Sequence, residues 1–468
     1  MTLPGIPAPG DGRLPPKPAA RPDRVSLWQY LRLFRRDILS AQPGRLYRAW
    51  MAEFRTPFFR SYLCNDPDLV RLVLQERPAD FPKSGRVGEG LRPLLGKSVF
   101  VTNGALWQRQ RRIIDPAFAG GRLHESFPAM LAAARAAVAR LAAGPAEIEA
   151  EAEMSHVAAD VIFRTLFSIP IENETAAQVH AAFRAHQRCQ PILNLAAFLP
   201  LPRWVPRLHR RATLRTARRI RALIAGLTEA RRAEIAAGTA PDDLATRIMT
   251  TRDPVTGEGF DVAEMTDQVA IFFLAGHETS ASALAWALYL LATNPAVQDR
   301  AAAEALALPG GNGPAFADLS RLGFLRDVFR ETLRLYPPVP MMVRETTRPE
   351  RFRGRDLRPG SQVVLSPWHQ HRHERFWAQP DAFLPERWQT AEGRASARCA
   401  YMPFSAGPRV CTGAGFAMVE GVLILALLLR AFRFTQAPGP EPVPQAHLTV
   451  RSRDGIRLRL TPREGDAA

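Results

Sequence analysis

The chain has 468 residues, of which 46% are hydrophobic, so it can bury a sizeable core. Lysine and arginine number 62 against 45 aspartate and glutamate, for a formal net charge of +17. No repeat of fixed period is present, which argues against a solenoid or propeller, and no change of composition divides the chain. A single large domain is therefore predicted.

The basic charge suits an acidic partner, since a positive surface attracts anionic molecules. A nucleic acid, an anionic membrane surface and an acidic electron-transfer protein are the candidates, and a general preference for arginine without any partner is the alternative. No aromatic-interleaved basic cluster occurs, which makes nucleic acid the weakest candidate. The four cysteines are scattered, which argues against disulfides and structural zinc and fits a reducing, intracellular compartment: Cys64, Cys189, Cys399 and Cys411.

The N-terminal residues 1–24 are rich in proline and lack a long apolar stretch, so we expect neither a signal peptide nor a membrane anchor. They predict a disordered or loosely wrapped arm, followed by one domain over residues 25–468. The basic, amphipathic segment Ser26–Arg36 predicts a helix, and packing on the core is preferred to lying on a membrane surface. Residues 55–63 are typical of a strand, and residues 81–101, punctuated by glycine and proline, of a long loop.

Two residues of possible interest, Trp107 and Arg111, lie on a helix predicted over residues 105–114. A spacing of four places both side chains on one face of that helix. Residues 122–234 predict further helices, interrupted by a proline-studded apolar segment at residues 191–206 that could form a mobile lid.

The segment Gln268–Thr293 is apolar enough to raise the question of a membrane span. The tripeptide His277–Thr279 interrupts its centre, so a helix buried in the middle of a large soluble protein is preferred. Gly276 would leave a groove beside this helix. Thr279 could donate a hydrogen bond to a carbonyl one turn earlier, which loosens the helix locally. A His-Glu-x-x-His metal site is excluded because Ala281 replaces the second histidine.

Glu331 and Arg334 are three residues apart and so share a helix face, where they can form an ion pair. Their apolar surroundings indicate that the pair is buried, and a buried pair needs a further partner. Beyond Pro337 the pattern changes to short strands and turns. The three histidines within His369–His373 could bind a metal, but no cysteine or acidic cluster completes such a site, and an ordinary loop is preferred.

Near the C-terminus, Cys411 lies in a glycine-containing loop just before an apolar helix that runs to Leu429. Free N–H groups and the positive end of the helix dipole favour the thiolate form of a cysteine in this position. The nearby glycines, Gly407 and Gly413, allow a bulky, flat partner to approach the backbone. A thiolate held in this way suits a haem iron, where it promotes O–O cleavage.

The run Phe404–Gly413 resembles the signature Phe-x-x-Gly-x-Arg-x-Cys-x-Gly of the cytochrome P450 family. Ala275–Thr279 is similar to the family's (Ala/Gly)-Gly-x-(Asp/Glu)-Thr. Trp107–Arg111 is similar to its Trp-x-x-x-Arg, and Glu331–Arg334 to its Glu-x-x-Arg. The motifs occur in family order, and the resemblance covers roughly Ala41 to Leu460.

The resemblance implies a mainly α fold with a smaller β part, shaped as a triangular prism, with haem between a long central helix and the helix after the cysteine loop. It implies Cys411 as the axial ligand of the iron in haem b. It also implies that Thr279 holds a proton-bearing water near dioxygen and that Glu278 relays protons from solvent. The implied haem contacts are Trp107, Arg111, Ala275, Gly276, Thr279, Arg344, Phe404, Gly407, Arg409, Cys411 and Gly413.

The resemblance also implies a structural brace and a pocket. Arg387 lies in Pro-Glu-Arg-Trp, where the family has Pro-Glu-Arg-Phe, and would join Glu331 and Arg334. No cationic anchor for a substrate carboxylate can be assigned. The candidate pocket residues are apolar: Phe100, Val101, Phe273, Leu274, Met341, Met342 and Val343.

The implied reaction inserts one oxygen atom from O2 into a lipophilic substrate by hydroxylation or epoxidation, with fatty acids and terpenoids as candidates. Two electrons would come from NAD(P)H through a ferredoxin or flavodoxin and its reductase, since the chain after Cys411 has no room for a fused reductase. A peroxide-driven thiolate-haem peroxygenase is the first alternative, disfavoured because Glu278 and Thr279 are both present. A non-catalytic haem binder or sensor is the second. We expect a cytoplasmic monomer without a transmembrane anchor.

Overall fold

The computed structural model describes residues 14–55, 60–189, 209–309 and 313–463, so the predicted lid at residues 191–206 lies outside the described residues. Helices dominate this part of the chain, as the sequence predicts. The helices are α1 Leu27–Arg36, α2 Pro67–Arg71, α3 Gly85–Leu95, α4 Gly104–Ile114, α5 Leu123–Ala143, α6 Ala150–Phe167, α7 Glu174–Cys189, α8 Arg211–Ala237, α9 Leu244–Thr250, α10 Val262–Ala292, α11 Pro295–Leu306, α12 Gly323–Leu335, α13 Pro367–Gln370, α14 Ala391–Ala400 and α15 Ala414–Ala431.

The strands form small sheets. Four of them make one sheet in the order β1-β2-β7-β4, in which β2 and β7 are parallel and the other pairs antiparallel. The rest pair as β3-β11-β8, β9-β10 and β5-β6. Their bounds are β1 Met51–Arg55, β2 Arg60–Cys64, β3 Glu147–Glu149, β4 Met342–Glu345, β5 Glu350–Phe352, β6 Arg355–Leu357, β7 Gln362–Leu365, β8 Phe432–Gln436, β9 Pro444–Ala446, β10 Val450–Ser452 and β11 Arg457–Pro462.

Helix α10 runs through the core and is buried along most of its length, which confirms the prediction of a buried helix. It contacts α6, α8, α12 and α15. A capping box begins it: the Asp261 carboxylate accepts from the Glu264 N–H at 2.7 Å, and the Glu264 carboxylate accepts from the Asp261 N–H at 3.2 Å. Its burial, its helix contacts and its capping box therefore hold α10 in a defined position.

Helix α15 is long and apolar enough, by length and composition, to cross a bilayer, and in the described part of the chain it alone passes that test. It packs against α5, α11 and α12, and Leu423, Ile424 and Leu425 are fully buried. Contacts with three core helices account for its apolar sequence. The helix holds the end of the cysteine loop in the core.

Two local predictions are wrong. Residues 55–63 do not form one strand, because β1 and β2 form an antiparallel pair on either side of residues 56–59, which are outside the described residues. Residues 81–101 do not form one loop, because α3 occupies the middle. Leu91, Leu94 and Leu95 are buried where α3 packs on α8 and α10, and this burial outweighs the low helix propensity of its glycines.

Helix α1 forms as predicted but does not pack on the core as preferred, because none of its residues is buried. Its apolar face lines a cavity, with Tyr30 and Phe34 among the lining residues. Residues 14–24, the described part of the predicted N-terminal arm, precede α1 and contact the domain. The Tyr336 hydroxyl donates to the Pro16 carbonyl at 2.8 Å, and the Arg21 N–H donates to the Gln42 carbonyl at 3.1 Å.

Candidate active site

A cavity of about 1480 Å³ lies between the middle of α10 and the loop that precedes α15. It brings together most of the residues that the sequence singles out, although they come from segments more than 300 residues apart. The predicted residues that line it are Phe100, Val101, Trp107, Arg111, Leu274, Ala275, Gly276, Glu278, Thr279, Met341, Met342, Val343, Arg344, Phe404, Arg409, Cys411 and Gly413.

Two predicted site residues do not line the cavity. Phe273 lies on the other side of α10, where its ring centroid is 4.4 Å from that of Phe163, because one residue step turns the side chain away from the groove. Gly407 shapes the loop instead. Its φ is +67°, and a Cβ there would collide with the Leu74 carbonyl, so only glycine fits.

Cys411 presents its side chain to the cavity from a loop held by its own backbone. Its N–H donates to the Phe404 carbonyl at 2.9 Å, and its carbonyl accepts from the Ala414 N–H at 3.3 Å. Burial raises the pKa of the Cys411 thiol, while the Gly413 N–H and the charge of Arg111 lower it by less. The helix-terminus effect is thus present but outweighed by burial. Binding to a metal would remove the thiol proton outright.

A cluster of cations surrounds Trp107 at the edge of the cavity. The charged groups of Lys83, Arg111 and Arg409 lie 5.6, 5.9 and 5.2 Å from the Trp107 ring centroid. Arg344 lies beside them, and burial together with the charge of Arg409 lowers the pKa of Arg344 to about 10. Burial also lowers the pKa of Lys83, and its three arginine neighbours lower it further. Such a concentration of positive charge needs anionic partners.

The residues present fit a haem. The buried Nε atoms of Arg344 and Arg409 have no hydrogen-bond partner among the described residues. Arg111 is already occupied, since its Nε donates to Asp115 at 2.9 Å and its Nη1 to the Val410 carbonyl at 2.8 Å. Two unsatisfied guanidinium donors beside a thiol-bearing cavity match the two propionates and the iron of one haem.

The opposite wall of the cavity is the middle of α10. The Thr279 hydroxyl donates to the Ala275 carbonyl at 2.5 Å, the bond to the preceding turn that the sequence predicts. Gly276 lines the cavity, but its missing Cβ does not leave the predicted groove, because Ile162 fills that space so closely that a Cβ would overlap it. His277 points away from the cavity, and its Nε2 lies 2.6 Å from the Ser155 Oγ on α6.

Glu278 is buried but held by two partners. The Thr449 hydroxyl donates to its carboxylate at 2.6 Å, and the Arg451 guanidinium forms an ion pair with it at 3.0 Å. The Arg451 side chain is 39% exposed, so this ion pair links the buried carboxylate to solvent. The arrangement suits a group that passes protons inward.

Lys83 and Glu420 are among the titratable residues of the cavity that sequence reasoning missed. Glu420 on α15 accepts from the Ser280 hydroxyl at 2.6 Å, and its other carboxylate oxygen has no partner among the described residues. Burial raises the pKa of Glu420 to about 8. No local pattern reveals either residue, because Ser280 is 140 positions from Glu420 and Lys83 falls in the supposed loop.

The predicted brace is present and fully buried. Glu331 pairs with Arg334 at 2.8 Å and with Arg387 at 2.9 Å, and accepts from the Leu384 N–H at 3.1 Å. Burial alone would raise the pKa of Glu331, but the charges of the two arginines outweigh it and the pKa is lowered. Arg334 also donates to the carbonyls of His371, Pro380 and Ala382. The brace ties α12 to the segments that precede the cysteine loop.

The histidine segment His369–His373 forms no metal site. Within the described ranges, no group of three or more histidine, cysteine or acidic side chains could hold a metal ion. His371 Nε2 accepts from the Met402 N–H at 2.8 Å, and His369 Nδ1 lies 2.8 Å from the Ser366 hydroxyl. His369 and His371 each make a polar contact within the fold, whereas the buried His371 Nδ1 and His373 Nε2 have no hydrogen-bond partner among the described residues.

Comparisons with known proteins agree with this site. The family model described as Cytochrome P450 matches residues 39–459. Cyclooctatin synthase of Streptomyces melanosporofaciens is 33% identical, over 83% of this chain and 84% of that protein. Pentalenene oxygenase of Streptomyces avermitilis is 33% identical, over 86% of this chain and 88% of that protein. The crystal structure of the cytochrome P450DA haem domain has a TM-score of 0.79 at 25% identity, covering 96% of this chain and 98% of that one.

The chain belongs to the cytochrome P450 family. It is a haem-dependent monooxygenase that uses O2, acts on a lipophilic substrate and draws electrons from a redox partner. The mainly α fold, with haem expected between α10 and the cysteine loop, is confirmed by the likeness to P450 haem domains.

Proposed function

We propose that this monooxygenase hydroxylates or epoxidises a terpenoid or a compound of similar size. The observation that carries the proposal is the placement of the Cys411 thiol and the Thr279 hydroxyl on one large cavity whose remaining inner walls are mainly apolar. Two of the relatives are named cyclooctat-9-en-7-ol 5-monooxygenase and pentalenene oxygenase, which supports a terpenoid skeleton. Apolar walls bind such a skeleton and exclude water from it.

Each part of the cavity has a role in this chemistry. Haem, held by Cys411, would supply the activation of dioxygen. Arg344 and Arg409 would hold its propionates. Thr279 can release the Ala275 carbonyl and hold a water in the cavity, while Glu278 receives protons from solvent past Arg451 and passes them to that water.

The proposal includes the source of electrons and the cellular setting. Electrons come from NAD(P)H through a separate ferredoxin or flavodoxin and its reductase, and the enzyme acts as a monomer in the cytoplasm. The net charge of +17 supports an acidic carrier protein, because opposite charges speed the encounter of the two proteins. Reconstitution with purified carriers of each kind would identify the better donor.

The first test is spectroscopic. The reduced protein under carbon monoxide should show the absorbance band that gives the family its name, and Cys411→Ala should lose it. Cys399→Ala is the matched control, since Cys399 is exposed and does not line the cavity. An unchanged spectrum in Cys411→Ala would refute the assignment of the axial ligand.

A second test separates the proposed reaction from peroxide-driven chemistry. With terpenoid substrates, NAD(P)H and a carrier, product should accumulate and one atom of 18O2 should appear in it. Turnover with hydrogen peroxide alone, at a rate above that with NAD(P)H and every carrier tried, would instead favour a peroxygenase.

A further inference from the structure

Four arginines line the cavity while remaining exposed, which places them where the cavity meets solvent. Arg184 and Arg188 lie at the end of α7, Arg210 directly precedes α8, and Arg35 lies on α1. The Thr213 hydroxyl donates to the Cys189 carbonyl at 3.2 Å and joins the end of α7 to the start of α8. We call Arg35, Arg184, Arg188 and Arg210 the rim arginines.

The rim arginines have no acidic partner among the described residues. None of them forms an ion pair within the described part of the chain. Glu278 and Glu420 are the acidic residues among the described lining residues. Glu278 is paired with Arg451, and Glu420 is buried and bonded to Ser280. Within the described part of the chain, the positive charge at the rim is therefore uncompensated.

A second observation points to a missing polar ligand beside Arg184 and Arg188 on α7. Gln187 lines the cavity between Arg184 and Arg188 in sequence, and its buried Nε2 has no hydrogen-bond partner among the described residues. A buried amide donor without an acceptor is costly, and an anionic oxygen would satisfy it. The rim cations are separate from those beside Trp107, which two propionates would neutralise.

We propose that the substrate is an amphiphilic carboxylate, whose acid group binds the rim arginines and Gln187 while its apolar body extends towards Thr279. This inference rests on the proposed monooxygenase function. Guanidinium groups bind carboxylates through two parallel hydrogen bonds, so they fix the orientation of the substrate as well as its affinity. Oxidation then falls on carbons remote from the acid group. Sequence alone cannot reveal this anchor, because Arg35 is 149 positions from Arg184.

The test compares acids with their methyl esters. Tetradecanoic acid and abietic acid, each with its methyl ester, are titrated against the haem-loaded enzyme, and Kd is measured by the Soret shift and independently by equilibrium dialysis. An exposed arginine–carboxylate contact contributes roughly 3- to 5-fold to binding, so the two or three contacts predict that at least one acid binds roughly 10-fold or more tightly than its ester.

The variants probe the rim directly. Arg184→Gln/Arg188→Gln should remove most of the preference for acid over ester, because the Kd of the acid should rise far more than the Kd of the ester. Arg218→Gln/Arg232→Gln, two exposed arginines of α8 that do not line the cavity, make the matched control and should keep the preference. Arg184→Glu/Arg188→Glu should instead prefer tetradecylamine to tetradecanoic acid.

Two outcomes overturn the proposal. Equal affinity for acid and ester in the unmodified enzyme would do so, and so would an unchanged preference in Arg184→Gln/Arg188→Gln. Either result, with ester bound and oxidised, leaves the monooxygenase function standing. Failure of the monooxygenase function is distinct, because no substrate would then be oxidised although dialysis still detects binding.

Discussion

The buried brace gives the sharpest prediction about stability. In Glu331→Gln the side chain keeps its shape but loses its charge, and two arginines with almost no exposed surface lose their counter-charge. Breaking a buried pair by removing one partner costs about 3–5 kcal/mol, because the remaining charge is buried without compensation. Here one carboxylate serves Arg334, Arg387 and the Leu384 N–H, so we expect the upper part of that range.

Urea unfolding followed by circular dichroism measures this loss. Glu147→Gln is the matched control, since Glu147 pairs with Arg459 on the surface, where the two side chains are 53% and 52% exposed. Such a pair contributes about 0–1 kcal/mol. Arg387→Met should cost less than Glu331→Gln, because Arg334 keeps its partner. A free energy of unfolding for Glu331→Gln within about 1 kcal/mol of the unmodified protein would refute the reasoning.

Three further predictions concern α10 and its neighbours. The folded protein keeps Glu420 protonated to about pH 8, whereas the unfolded chain ionises it near pH 4.5, so this residue lowers stability as the pH rises between these values. In urea titrations, the free energy of unfolding of Glu420→Gln minus that of the unmodified protein should therefore be more positive at pH 8 than at pH 5. An equal difference at both pH values would contradict this. Gly276→Ala should cost about 1–3 kcal/mol through overlap with Ile162, and Ile162→Ala should relieve part of that cost in a double-mutant cycle. Thr279→Ala should still consume NAD(P)H but should release hydrogen peroxide in place of product, so that the product formed per NAD(P)H falls roughly 10-fold or more. An unchanged ratio of product to NAD(P)H would argue against a role of Thr279 in holding water.

The motifs were predictable because each is short and its geometry is local. Residues three or four positions apart share a helix face, so spacing places Trp107 beside Arg111 and Glu331 beside Arg334, while their roles follow from the resemblance to the P450 family. The cation cluster, by contrast, depends on Lys83, which the glycine and proline pattern places in a loop. Its role arises from burial beside three arginines that are distant in sequence.

The wrong predictions for α3, Phe273 and α1 likewise arise from contacts that local sequence does not encode. Helix α3 forms because Leu91 and its neighbours are buried against other helices, and local propensity cannot anticipate that burial. Phe273 belongs to the right helix but faces Phe163, since one step along α10 rotates a side chain by about 100°. Helix α1 is amphipathic as predicted, but the surface that its apolar face meets is a cavity and not the core.

The contact between Tyr336 and Pro16 has a practical consequence for how the protein is expressed and handled. Tyr336 has no exposed surface, and its ring stacks on Trp286 with centroids 4.0 Å apart. Shortening the chain to begin at Arg24 would strip this phenol of its acceptor and expose the stacked rings to water. Affinity tags belong before residue 14, and a protease that trims the N-terminus beyond Pro16 should yield a species that melts at a lower temperature.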